Sequence, residues 1–295
     1  MTTETTETTE TAETAETAGT TAAQARAGAR ARGARGRFGA WDAAWLVLAA
    51  LYFVIPLLGS AEFSLETGQR HYGFNAYVAT LQDPNFQSSF LLSFQLALAT
   101  VVLSLALMLP TVFWVNLKLP RLRPVMDFIG VMPFVVPPVT LAIAVLGLFK
   151  NVAPWLISGP QILALAYVVL ALPFTYRSLD AGLQAIDLRT LTEAGQSLGA
   201  GWPTILLRIV LPNLRFAMLS GAFLTVTLVM GEYTIASIVS FNTFGTYMEQ
   251  IGLEEANQAA ALAILSLLLT WAAMFGILFL GRGSGRRQAQ IGGTR

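Results

Sequence analysis

Cysteine is absent from this chain, and histidine occurs once, at position 71. Without cysteine there are no disulfides and no thiolate metal sites, and a lone His71 has no second imidazole with which to share a metal ion. Charge is scarce too. Only 12% of the 295 residues are Asp, Glu, Lys or Arg, against roughly 25% in a soluble domain. Meanwhile 55% are hydrophobic and the mean hydropathy is +0.61. This balance puts the chain in the membrane class. The net charge of +1 says little by itself; the placement of the charges says more.

Residues 1–40 differ in kind from the rest. Thr-Thr-Glu and Thr-Ala-Glu triplets give way to AQARAGARARGARGR, and neither half has enough apolar surface to offset the entropy of ordering it. A disordered tail is predicted. The apolar stretch that follows runs to the length of a membrane span, unlike the short core of a secretory signal, so it reads as an uncleaved first helix.

A spanning helix needs about 20 mostly apolar residues. Six stretches qualify: 41–58, 88–115, 125–149, 161–176, 214–239 and 259–280. The fold class is therefore all-α and integral to the membrane, with about six transmembrane helices. Prolines interrupt several of them, at Pro56, Pro110, Pro133, Pro137, Pro138 and Pro173. A bundle tolerates such kinks because neighbours and side chains satisfy the freed carbonyls. Three prolines within MPFVVPP predict a bend beside a cavity.

Orientation follows from the basic residues that flank the spans. Sixteen of eighteen fall on one side, in the amino-terminal tail, the 116–124 loop, the stretch between the fourth and fifth spans (Arg177, Arg189, Arg208 and Arg215) and the carboxy terminus; only Arg70 and Lys150 fall on the other. Both termini and the 177–213 stretch are thus expected in the cytoplasm. The arginine-rich tail is expected to meet anionic lipid headgroups. No fold supports nucleic-acid binding.

The 177–213 stretch holds EAGQSLGAGWPTILLRIVLP, from Glu193 to Pro212. Thr190 to Glu193 fits a capping box, with Thr190 as N-cap. A short helix over about 191–198 can end at Gly199 in the left-handed conformation. Pro203 suits the first turn of a second helix, which carries Ile205, Leu206, Ile209 and Val210 at helical spacing. Helix, turn, helix is the predicted shape.

Glu193-Ala194, then Gly199, then Ile209 and Leu211-Pro212 match the EAA motif of ABC importer permeases: E-A-A, three residues, glycine, nine residues, I-x-L-P. Gly195 departs from it, standing where a second alanine is usual, and should loosen the helix by up to ~1 kcal/mol. From about residue 88 to 280 the chain resembles the inner-membrane permeases of binding-protein-dependent importers. The resemblance implies a type I importer permease, organised as the tail (1–40), a first helix with an outer segment (41–87), a permease core (88–281) and a basic tail (282–295). It also implies that 177–213 docks in a groove of a cytoplasmic ATPase. Glu193 would be a charged contact, Gly199 the turn, and Ala194 and Gly195 a closely fitting surface. The implied partners are two ATP-binding subunits, a second permease subunit (identical or related) and an extracytoplasmic binding protein. No phosphate loop of the form G-x-x-x-x-G-K-[ST] occurs here, so ATP and Mg belong on the partner ATPase and this chain carries no cofactor and no catalytic residue.

Around Pro133–Pro138 and in LVMGEYTIASIVSF the chain is similar to permeases for polyamines (spermidine or putrescine), iron(III) and aminophosphonates. Glu232 is the one acid well inside a predicted span, about 25 Å along it at 1.5 Å per residue, and such acids usually face the bundle interior. Glu232, Tyr233, Pro137 and Pro138 are the candidates for lining the substrate path, with Glu232 as a possible attractor of cations or as a structural acid satisfied by Thr234, Ser237 or a neighbouring helix. The rival class is an ion-coupled secondary transporter, which predicts inverted repeats and several mid-membrane charges; one such acid and no clear repeat are present.

Overall fold

The computed structural model describes residues 40–66 and 72–289. The tail expected to be disordered and His71 lie outside these residues. The chain forms two compact units, Met1–Leu58 and Gly59–Arg295. The first holds most of α1 (Ala40–Leu65), a 26-residue apolar helix with Pro56 inside it.

The second unit begins with the end of α1 and with α2 (Asn75–Gln82). The long helix α3 (Pro84–Lys118) follows. It starts where Asp83 accepts the Asn85 N–H at 2.8 Å and Pro84 fills the first turn, a position whose N–H would otherwise be unpaired. It runs unbroken across Pro110 and ends at Leu119, before Pro120.

Next come α4 (Arg123–Val135) and α5 (Pro138–Val152). These were one stretch in the hydropathy pattern, 125–149, and the structure corrects that: they form a span bent by 101°. The cause is local. Pro137 and Pro138 lack N–H donors, and a residue preceding proline is pushed out of the helical region. Val136 is accordingly extended, at ψ 119°.

The four-residue helix α6 (Pro154–Ile157) leads to α7 (Gln161–Gln184), then to α8 (Leu188–Ser197) and the helical stretch α9 (Trp202–Asn213). Between α9 and α10 (Arg215–Met230) the chain bends by 76°. The predicted 214–239 span is not continuous either: α10 stops at Met230, and the six-residue α11 (Thr234–Val239) follows a break at 231–233. The last elements are α12 (Phe244–Glu254) and α13 (Ala256–Ala289), the latter extending nine residues past the predicted end at 280.

Among the described residues there is no strand, only an isolated bridge between Glu66 and Tyr72. By length and composition α1, α3 and α7 can each cross a bilayer, and the two bent pairs raise the number to five; the Ala256–Ala272 part of α13 is a shorter apolar helix.

The core centres on α3, α7 and α10. Small residues let α7 and α10 approach closely, as membrane helices do where no hydrophobic effect drives them together. A methyl group at Gly182 would sit 2.5 Å from the Ala217 Cβ, and one at Gly221 would sit 3.3 Å from the Ser178 Cβ. Two reciprocal ion pairs join α4 to α7. Arg123 meets Asp180 at 3.4 Å, and Arg177 meets Asp127 at 3.3 Å. Asp180 is buried and is held further by Asn116 from α3 and by Gln184.

Candidate coupling segment and translocation cleft

Helix α8 begins earlier than the capping-box pattern implies. Asp187 is its N-cap, accepting the Thr190 N–H at 3.1 Å and the Thr190 hydroxyl at 2.7 Å. Thr190 is therefore inside the helix, a correction to the sequence reading. Aspartate caps at least as well as threonine, and starting there buries Leu188 in the core. Glu193, freed from capping, accepts from Arg189 Nε at 2.8 Å one turn back. Hydrogen bonds from the Thr190 hydroxyl and backbone hold the Asp187 carboxyl below its ordinary value.

The end of α8 is as predicted. Gly199 has φ +78°, in the left-handed region where glycine alone is unstrained. Its N–H donates to the Gln196 carbonyl at 2.9 Å, and the Ala200 N–H donates to the Gly195 carbonyl at 3.0 Å. These two bonds form a Schellman closure. Leu198 is left 89% exposed at the tip, a feature that periodicity did not single out.

Gly195 lies elsewhere than expected. It is buried, and a Cβ there would lie 2.9 Å from Ile209 Cδ1 and 3.2 Å from Ile205 Cγ1. It is the seat on which α8 rests against α9, so it cannot present a surface to a partner; Glu193 and Ala194 beside it are exposed. In α9, Pro203 occupies the first turn as predicted, but Ile205–Val210 winds as a π-helix. Ile205 and Val210 are wholly buried, in one cluster with Val112 and Phe113 of α3 and Leu179 and Leu183 of α7. Ile209 and Leu211 are half-buried and Pro212 is exposed.

Composition gave no hint of one further contact. Trp202, at the start of α9, packs against Trp114 of α3 with ring centroids 4.8 Å apart and the ring planes inclined at 49°. Lys118 lies over both rings, at 4.4 Å from Trp202 and 5.0 Å from Trp114.

The four path candidates come together. Pro137, Pro138, Glu232 and Tyr233 line one cleft of about 450 Å³, between the break in α4/α5 and the break in α10/α11. Both chain breaks are walls of this cleft: the bend that MPFVVPP predicts beside a cavity, and the break at 231–233, which the sequence reading missed. Glu232 is 9% exposed and closes the start of α11 from the residue before its N-cap, Tyr233: its carboxylate accepts the Ile235 N–H at 2.8 Å and the Ala236 N–H at 3.3 Å. Its other cleft neighbours include Phe134, Leu170 and Leu228. Among the described residues no group of His, Asp or Glu is arranged to hold a metal ion.

An all-helical bundle with broken spans around a cleft and a helix–turn–helix segment at one end defines a multi-pass transport subunit. Residues 98–287 match the family model described as binding-protein-dependent transport system inner membrane component, and the chain belongs to that family. Among its relatives is the sulfate transport system permease protein CysW of Synechocystis sp., 30% identical over 217 residues, which are 68% of this chain and 76% of that protein. The spermidine/putrescine transport system permease protein PotC of Haemophilus influenzae is 36% identical over a shorter stretch, 35% of this chain and 39% of that protein. A bacterial alginate ABC transporter, solved with an alginate pentasaccharide-bound periplasmic protein, shares the fold with TM-score 0.60 over 82% of this chain and 93% of its own, at 16% identity. The chain is thus an ABC importer permease subunit of the inner membrane rather than an enzyme, and permeases of this kind work with an ATPase and a substrate-binding protein.

Proposed function

We propose that this chain forms one half of the solute path of an ATP-driven importer for a small cation of the polyamine class. The observation that carries the substrate is the charge of the cleft: Glu232 supplies a carboxylate, and no Lys, Arg or His is among the lining residues. An anion entering this cleft would leave water without a cationic partner, which is costly in an apolar setting. A small ammonium would find a carboxylate at its wall.

Both termini and the α8–α9 segment lie on the cytoplasmic side in this reading, supported by sixteen of eighteen basic residues. Two ATP-binding subunits dock there and carry the ATP and Mg. Glu193, Ala194 and the exposed Leu198 form the contact; Gly199 lets it project; Gly195, Ile209, Leu211 and Pro212 fix it to the bundle. A second permease subunit supplies the other half of the path, and a binding protein delivers the solute from outside.

One observation favours a second reading, sulfate: the sulfate permease relative matches 68% of this chain and the polyamine permease 35%. Uptake of labelled spermidine and labelled sulfate into proteoliposomes holding the complete complex separates the two. Spermidine uptake that falls in the Glu232→Gln protein at low but less at high substrate concentration is expected, since Gln keeps a capping oxygen and loses only the charge. Sulfate uptake without spermidine uptake would overturn the cation reading. Equal spermidine uptake by both proteins at both concentrations would remove Glu232 from the path.

A further inference from the structure

The docked segment has to move the cleft, yet its own chain is a poor lever. After α9 the backbone bends by 76°, and α10 then stops at Met230, one residue before the Gly231–Tyr233 break that forms the cleft wall. A push along this covalent route meets two hinges. Helix α3 offers a route through one continuous helix, unbroken at Pro110.

At one end, Trp114 and Lys118 of α3 grip Trp202 by a tilted ring contact and by the ammonium over both rings, and Phe113 adds an edge contact to Trp202 at 6.4 Å. At the other end, the buried Ser93 hydroxyl accepts the Phe244 N–H at 2.7 Å, a bond across 151 residues. Phe90 meets the Phe244 ring edge-on at 5.8 Å, and Asp83 accepts the Tyr247 hydroxyl at 2.7 Å. Ser93 and Phe113 are about 30 Å apart along the helix at 1.5 Å per residue, the thickness of a bilayer core.

The route closes on the cleft itself. Gly245, next to Phe244 in the first turn of α12, is pressed against the break: a methyl there would lie 2.4 Å from the Glu232 carbonyl oxygen and 3.3 Å from the Tyr233 Cα. Backbone therefore bears on backbone at the two residues that line the cleft. Helix α7 also runs between the two regions, but its ion pairs go to α4, and toward α9 it offers Leu179 and Leu183, apolar contacts that can slide. The contacts of α3 are directional at both ends.

We propose that α3 is a strut that carries the motion of the coupling segment to the cleft wall, with Trp202 and Lys118 as positioning residues at one end and Ser93 and Gly245 at the other. The proposal rests on the importer reading above, and the test separates the two. The native chain has no cysteine, so Tyr233→Cys places a single reporter in the cleft. The complete complex with its ATPase and binding protein is reconstituted in nanodiscs and treated with a maleimide, without nucleotide and with Mg-ATP plus vanadate. The alkylation rate in the reporter protein should differ by about fivefold or more between the two conditions, the range of ordinary allosteric couplings. Adding Trp202→Ala or Ser93→Ala should reduce the difference to less than about twofold, with ATP hydrolysis continuing; adding Trp202→Phe, which keeps a ring on Trp114, should preserve it. Ser93→Ala is remote from the docked segment, so it decides the matter even where Trp202→Ala weakens ATPase docking. A full difference in the Ser93→Ala protein overturns the strut and leaves the importer reading standing. No difference in the reporter protein alone overturns both.

Discussion

Replacing Gly195 by alanine sets two effects against each other. In an open helix the change stabilises by roughly 0.5–1 kcal/mol, because glycine loses more backbone freedom on folding. The EAA pattern, with alanine in this place, points the same way. The packing points the other way. The new Cβ would lie 2.9 Å from Ile209 Cδ1 and 3.2 Å from Ile205 Cγ1. Ile209 is half-buried and can turn its terminal methyl aside; Ile205 is wholly buried and has nowhere to go. Overpacking of this kind costs about 1–3 kcal/mol, so the net expectation is a loss of about 1 kcal/mol. The assay is denaturant unfolding of α8, followed by hydrogen exchange of its amides in detergent-solubilised protein. A double-mutant cycle sharpens it. Ile209→Val deletes the Cδ1 that collides, and should cost about 0.5–1.5 kcal/mol alone. With both changes the loss should be smaller than the sum by about 1 kcal/mol, since the two side chains share one space. If Gly195→Ala alone raises the stability of α8, or if the two effects simply add, then the seat is not tightly packed and the reasoning fails.

Other predictions follow from single contacts. Gly199→Ala meets open space, with nothing within 4 Å of its Cβ, so its cost is the left-handed backbone alone, about 1–2 kcal/mol; Gly199→Asn should cost visibly less, and thermal unfolding of the two side by side checks this. Arg123→Ala should destabilise by about 1–2 kcal/mol, because it uncovers the buried Asp180 but does so from a side chain that is itself partly solvated. Arg177→Ala, whose pair with Asp127 is well exposed, should stay within about 1 kcal/mol of the parent. The Asp187 cap has a carboxyl value lowered by its bonds to Thr190, so its contribution is present in full above the ordinary aspartate value of 3.8 and is lost as pH falls through the lowered one. Amide exchange at Thr190, corrected for the intrinsic rate, should therefore accelerate only below that range, and Asp187→Asn should abolish this acid limb.

What could be read from the chain alone divides by the range of the interaction. Local stereochemistry was legible: Gly199 at the end of α8, Pro203 at the start of α9 and the bend in MPFVVPP each depend on residues within one turn. The capping box failed for a reason of the same scale. Asp187 and Thr190 are both good caps, and the choice fell to Leu188, whose burial depends on α3 and α7 packing around it. Periodicity cannot weigh that. The break at Gly231–Tyr233 was missed because apolar residues continue on both sides of Glu232, and what ends the helix is the Glu232 side chain turning to cap α11.

Glu232 shows how these levels combine. From the sequence it was one acid in an apolar span, open to a path role and to a structural one. In the fold it caps α11, it lines the cleft, and its carbonyl is the surface against which Gly245 is pressed. A carboxylate held by two backbone N–H groups cannot move without releasing the helix it caps. Its position in the cleft is thereby tied to that of α11, and through Gly245 to α12. If the cleft wall shifts during transport, the charge and the wall move as one body. A cation site on that body would change its access to either side of the membrane without any rearrangement of its own ligand, which is the economy that a single fixed acid in a cleft permits.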